Sequence, residues 1–69
     1  MEKLTWNDID QIALALYEKY PEQDPTFIRF TELHAWIMGL DGFSDDPKKS
    51  NEAKLEAIQS AWLDEYREL

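Results

Sequence analysis

The chain reads as an all-α domain, a small three-helix body in a helix-turn-helix-like packing. Three observations predict it. Apolar residues recur at helical spacing in three separate stretches, Pro- or Gly-bearing turns separate these stretches, and no run of four residues alternates apolar and polar with hairpin chemistry. The 69 residues make one domain, 1–69, without internal repeat or low-complexity tract. A domain of this size buries only about 60% of the surface its unfolded chain exposes. Three Trp, three Phe and three Tyr supply an economical core, because each large ring buries roughly 150–250 Å².

In the first stretch Ile9, Ile12, Ala13, Leu16, Tyr17 and Tyr20 line one side of a helix expected over 6–20. Thr5 is placed to cap its first turn, Asp8 to complement the positive end of the helix dipole, and Leu4 to staple onto Ile9. Pro21 stops it. Asp24 before Pro25 reads as an N-cap with proline at the first helical position, so a short helical turn is expected through Thr26 and Phe27, with Ile28-Arg29-Phe30 extended after it. Arg29 is placed to clamp a carboxylate in a bidentate pair.

Thr31 starts the second helix, whose stripe is Leu33, Trp36, Ile37 and Leu40, and Gly42 supplies the left-handed residue that closes it. Phe43-Ser44-Asp45-Asp46-Pro47 is a second acidic turn. From Ser50 or Asn51 the third and longest helix carries Leu55, Ile58, Trp62, Tyr66 and Leu69, with Ala57 and Ala61 beside them. Trp36 and Trp62 fall in the core, and Trp6, at a helix start, is expected to be partly exposed.

Charge decides the function class. Fifteen Asp and Glu stand against seven Lys and Arg, a net charge of −8. Such a body attracts cations and basic protein surfaces and repels phosphate backbones and anionic membranes. DNA binding draws its affinity from Lys and Arg, so nucleic acid is excluded as a partner despite the helix-turn-helix character. With no Cys there is no disulfide, thiolate metal site or thiol nucleophile, and the chain suits a reducing interior. The start lacks the apolar core of a secretory signal, and no stretch approaches the roughly 18 apolar residues of a membrane span. The expected location is the cytoplasm, with no membrane partner and a monomeric state.

Catalysis lacks a cast. One His and no Cys complete no common acyl-transfer constellation, three short helices offer little cleft for paired-acid chemistry, and neither Gly39 nor Gly42 belongs to a phosphate loop. The chain is read as a non-enzyme.

Two groups of acids remain. Asp64, Glu65 and Glu68 fall in the last turns of the third helix, where the dipole favours cations, while Glu52–Glu56 and Asp64–Glu68 are like-charge i, i+4 pairs. Any one of them reads as a solvated, solubilising residue; their repetition along one helix points to a surface. Glu22, Asp24, Asp41, Asp45 and Asp46 lie in or next to turns. Turn acids serve as caps, and they also converge oxygen ligands on a hard divalent cation, here at most a weak exposed site for Fe²⁺, Mn²⁺ or Mg²⁺, since no EF-hand pattern is present. His34, the one imidazole, is a packing residue or a nitrogen ligand to such a site.

Taken in order, Ala15-Leu16-Tyr17, Tyr20-Pro21-Glu22, Asp24-Pro25, Arg29-Phe30-Thr31-Glu32-Leu33-His34, Trp36-Ile37, Asp45-Asp46-Pro47, Ser50-Asn51-Glu52, Leu55-Glu56-Ala57-Ile58 and Trp62-Leu63-Asp64-Glu65 resemble the IscX family over nearly the whole chain. The resemblance implies a small acidic accessory protein of bacterial iron-sulphur cluster assembly, all-helical with a modified winged-helix topology. It implies binding to the cysteine desulfurase IscS in competition with bacterial frataxin, weak binding of ferrous iron, and a role in iron donation or regulation, with no bound cluster. Ser44 and Gly42 stand where acids can occur in that family and thin its central acidic cluster.

On this reading Glu22, Glu32, Asp41, Glu52, Glu56, Asp64 and Glu65 face the desulfurase, and Asp24, Asp45, Asp46 and His34 are the iron ligands. The rival reading is an acidic interaction module that mimics DNA and has no metal role.

Overall fold

A computed structural model of the chain describes residues 3–68. Helices α1 (Ile9–Lys19), α2 (Phe30–Met38) and α3 (Glu52–Arg67) are joined through two 3₁₀ turns, Pro25–Phe27 and Pro47–Lys49. Among the described residues no strand forms, and a single parallel bridge pairs Leu4 with Phe43. The domain is all-α.

α1 starts later than its apolar spacing suggests. Thr5 to Asp8 form a separate turn, in which the Asp8 N–H donates to the Thr5 carbonyl (2.9 Å) and the Thr5 N–H donates back to the Asp8 carboxylate (2.9 Å). Trp6 causes the delay: expected partly exposed, its side chain is 1% exposed and inserted in the core. Its backbone N–H donates to Asp45 Oδ2 (3.1 Å) and its indole N–H to the Asp46 carbonyl (2.8 Å), so the residue belongs to the α2–α3 connection as much as to its own segment. The Tyr20 N–H still reaches the Leu16 carbonyl (2.8 Å) before Pro21 ends α1.

The first 3₁₀ turn forms as its Asp-Pro start predicts, capped by Asp24 Oδ1 accepting from the Thr26 N–H (2.9 Å). Ile28 and Arg29 are extended, but Phe30 is already helical. Arg29, exposed, caps α2 only through its backbone carbonyl, which accepts from the Leu33 N–H (2.8 Å). α2 stops at Gly39. Gly42 does take the expected left-handed backbone (φ 85°), but in the turn beyond the helix, after Leu40 has turned inward to be buried. Asn51 caps α3 by accepting the Lys54 N–H (2.8 Å). Leu69, expected at the end of the third stripe, lies outside the described residues.

The core collects Ile12, Ala13 and Leu16 from α1, Leu33 and Ile37 from α2, and Leu55, Ile58 and Trp62 from α3, with Trp6, Ile28 and Leu40 from the connections. Half-buried Trp36 stacks on Tyr20 with ring centroids 4.2 Å apart and lies 6.2 Å from Trp62. The body measures 30 × 26 × 16 Å.

Candidate functional site

Among the described residues no polar or charged side chain is buried. Every described carboxylate therefore reaches water, and they differ in whether the fold already uses them.

Three of the turn acids are used. Asp24 caps the first 3₁₀ turn, and Asp46 caps the second by accepting the Lys48 N–H at Oδ1 (2.9 Å). Asp45 accepts the Trp6 N–H at Oδ2 (3.1 Å) and the Asp46 N–H at Oδ1 (2.7 Å). Those two donors, aided by the charges of Lys49 and Lys54, hold its carboxyl below the usual carboxylate range. His34 stacks on Trp6 with centroids 5.2 Å apart, and its Nε2 lies 3.1 Å from the Pro47 carbonyl. A carbonyl only accepts, so Nε2 carries the proton.

Phe43 closes the cluster edge-on to Trp6 (4.8 Å), and backbone bonds from the Leu4 N–H to Gly42 O (2.8 Å) and from the Ser44 N–H to Leu4 O (2.9 Å) complete a latch between the N-terminal segment and the α2–α3 connection. Asp45, Asp46 and His34 thus come together around Trp6, while Asp24 serves the other 3₁₀ turn. Among the described residues, no three His, Asp or Glu side chains gather in a geometry that could hold a metal ion.

The helix acids stay unengaged. Asp64 and Glu65, with Asp10 from α1 and Glu68 at the end of α3, surround a hollow of about 360 Å³ lined also by Ala13 and Ala61, and among the described residues no basic side chain lines it. Asp64, Glu65 and Glu68 at the negative end of the α3 dipole, with Asp10 as a fourth like charge beside them, work against the fold. Glu52 and Glu56 are exposed one turn apart on α3, and Glu56 borders a second hollow with Thr26, Gln59, Ser60 and Leu63. Asp41 shares a third with Glu18 and Lys19. Glu22 lies in the turn after α1, and Glu32 is exposed in the first turn of α2, where the dipole favours it.

The expected partner-facing acids therefore occupy several faces, of which the Asp64–Glu65 hollow is the most concentrated. Two lysines do not oppose them directly: Lys19 Nζ donates to the Gly39 carbonyl (3.4 Å) and Lys54 Nζ to Asn7 Oδ1 (2.7 Å). Asp10 joins the hollow only through the packing of α1 on α3, which no local pattern announces. Exposed Phe27 was likewise not legible as a surface feature.

The family model for iron-sulphur cluster assembly matches residues 4–67 of the chain. A protein of Pseudomonas aeruginosa described as uncharacterized is 48% identical over 62 residues, which cover 90% of this chain and 94% of that protein. Among the described residues no helix is long and apolar enough to cross a membrane.

Proposed function

This chain belongs to the iron-sulphur cluster assembly family, the IscX family, and we propose that it serves there as an accessory protein that docks on the cysteine desulfurase IscS through exposed carboxylates and weakly binds ferrous iron. The observation that carries the docking is the uncompensated ring of Asp10, Asp64, Glu65 and Glu68. Asp64, Glu65 and Glu68 sit where the dipole of α3 disfavours them and Asp10 adds a like charge beside them, so the group costs stability in the free chain and a basic partner surface relieves that cost on binding. Guanidinium groups suit such oxygens, and the long-range field of a −8 body speeds encounter with them. The role is regulatory rather than catalytic.

Ferrous iron is cargo in this reading. Its candidate ligands are Asp45, Asp46 and His34, with Asp24 set apart at the other 3₁₀ turn; all three carboxylates already accept backbone N–H groups, so a cation competes for the same oxygens and its affinity is low. Fe²⁺ titration of the Asp45→Asn and Asp46→Asn chains checks this, and unchanged affinity in both removes those two ligands.

Docking is tested by titrating the desulfurase at low salt and at about 1 M salt, where the screening length falls to about 3 Å. Affinity is expected to drop steeply with salt and to fall again in the Asp64→Lys, Glu65→Lys chain. A salt-independent isotherm overturns the reading.

A further inference from the structure

Phe27 is 80% exposed, and it is held so by a rigid device. A single exposed apolar residue is ordinary on any protein surface. Here Pro25 and Ile28, on either side of it, are buried. The Asp24 carboxylate caps the turn, the Phe27 N–H donates to the Asp24 carbonyl (3.1 Å), and Gln59 Nε2 of α3 donates to the Pro25 carbonyl (2.7 Å). The ring projects from a turn fixed at both ends, so little freedom remains to be lost when it is covered. Next to it Thr26 borders a hollow of about 260 Å³ with Glu56, Gln59, Ser60 and Leu63, and no Lys or Arg lines that hollow. Glu52 is exposed one turn before Glu56.

We infer that Phe27 is the aromatic anchor of a protein-docking surface that includes Thr26, Glu52, Glu56 and Leu63, and that the partner presents an apolar recess rimmed by Arg or Lys. A second copy of the chain does not fit, because Glu52 and Glu56 of both copies would meet within a pair of bodies each at −8. An anionic lipid surface fails for the same reason. A basic protein surface satisfies the ring and the acids together, in the manner of interfaces where one aromatic in a desolvated recess dominates the affinity and charges around it set rate and specificity. The inference rests on the docking proposed above and adds to it a second contact face, since the hollow beside Phe27 shares no residue with the one ringed by Asp64 and Glu65.

The test is calorimetric titration of purified desulfurase with the wild-type chain and with Phe27→Ala, Phe27→Leu, Glu56→Lys and Asp64→Lys chains, each checked for its melting temperature. Phe27→Ala is expected to weaken binding at least about 10-fold while leaving both the melting temperature and the salt dependence unchanged, since the lost contact is uncharged and solvent-facing in the free chain. Phe27→Leu retains most of the affinity, and Glu56→Lys lowers both affinity and salt dependence. If Phe27→Ala binds as tightly as wild type while Asp64→Lys binds weakly, the anchor is overturned and the docking function stands. If the wild-type chain does not bind the desulfurase at low salt, both fall.

Discussion

Truncating Trp6 to Ala should leave the domain close to its unfolding threshold, whereas Trp6→Phe should cost far less. A chain of 69 residues has roughly 3–10 kcal/mol of stability in all. Removing a fully buried aromatic ring costs about 3–5 kcal/mol, and Trp6 is as buried as any side chain in the core. Trp6→Phe keeps a ring against His34 and Phe43, and keeps the backbone donor to Asp45, but loses the indole bond to the Asp46 carbonyl. That carbonyl belongs to an exposed residue and can turn to water, so the bond is worth about 1 kcal/mol and the missing ring volume about as much again. At about 4–8 °C per kcal/mol, Trp6→Phe melts about 8–16 °C below wild type. Urea titration followed by far-ultraviolet circular dichroism measures both variants without relying on tryptophan emission. Midpoints indistinguishable from wild type for both would refute the claim that the N-terminal latch is part of the core.

Three further outcomes follow from named contacts. Asn51→Ala removes the acceptor for the Lys54 N–H and should lower stability by about 1 kcal/mol in the same urea assay; no change would mean that another group caps α3. Asp45 titrates below its ordinary range when folded, so its contribution is complete above the unfolded value of about 3.9 and is lost as pH falls through the lowered folded value. Asp45→Asn should therefore flatten the fall in melting temperature below about pH 4, and an unaltered acid profile would deny the carboxylate its role in the latch. Asp64→Lys places a cation near the C-terminus of α3 among three other acids, and should raise stability by about 0.3–1 kcal/mol at low salt while weakening the desulfurase complex. A variant that gains neither stability nor a binding defect would separate the hollow from function.

What could be read from the chain alone was whatever is local. Asn51, the Leu55–Ile58–Trp62 stripe, the Asp24-Pro25 turn and the stop at Pro21 are written within a few residues of where they act, and the fold follows them. The same local logic misplaced the start of α1, because Trp6 answers to Asp45 and Asp46 some forty positions away and no periodicity records that. Thr31 resembles a cap, yet Phe30 is helical before it since the Arg29 carbonyl already receives the Leu33 N–H. For the surface, composition gave the sign of the charge and helical spacing gave the Glu52–Glu56 pair. The meeting of Asp10 with Asp64, Glu65 and Glu68 depends on how two helices pack. Asp45 and Asp46 look like ligands in a string of letters because capping and ligation draw on the same oxygens.

The pairing of Leu4 with Phe43 closes a loop that contains both of the first two helices. Its closure entropy is repaid only after α1 and α2 have found their places, which makes it a late event in folding and an early one in fraying. The amide protons of Leu4 and Ser44, the two donors of that pairing, should therefore exchange with solvent deuterium together, and sooner than that of Ile58 in the middle of α3. Opening of this clasp parts Leu4 from Gly42 and Ser44 without melting a helix or lifting Trp6 from the core, so a small domain with one core still has a segment that breathes by itself.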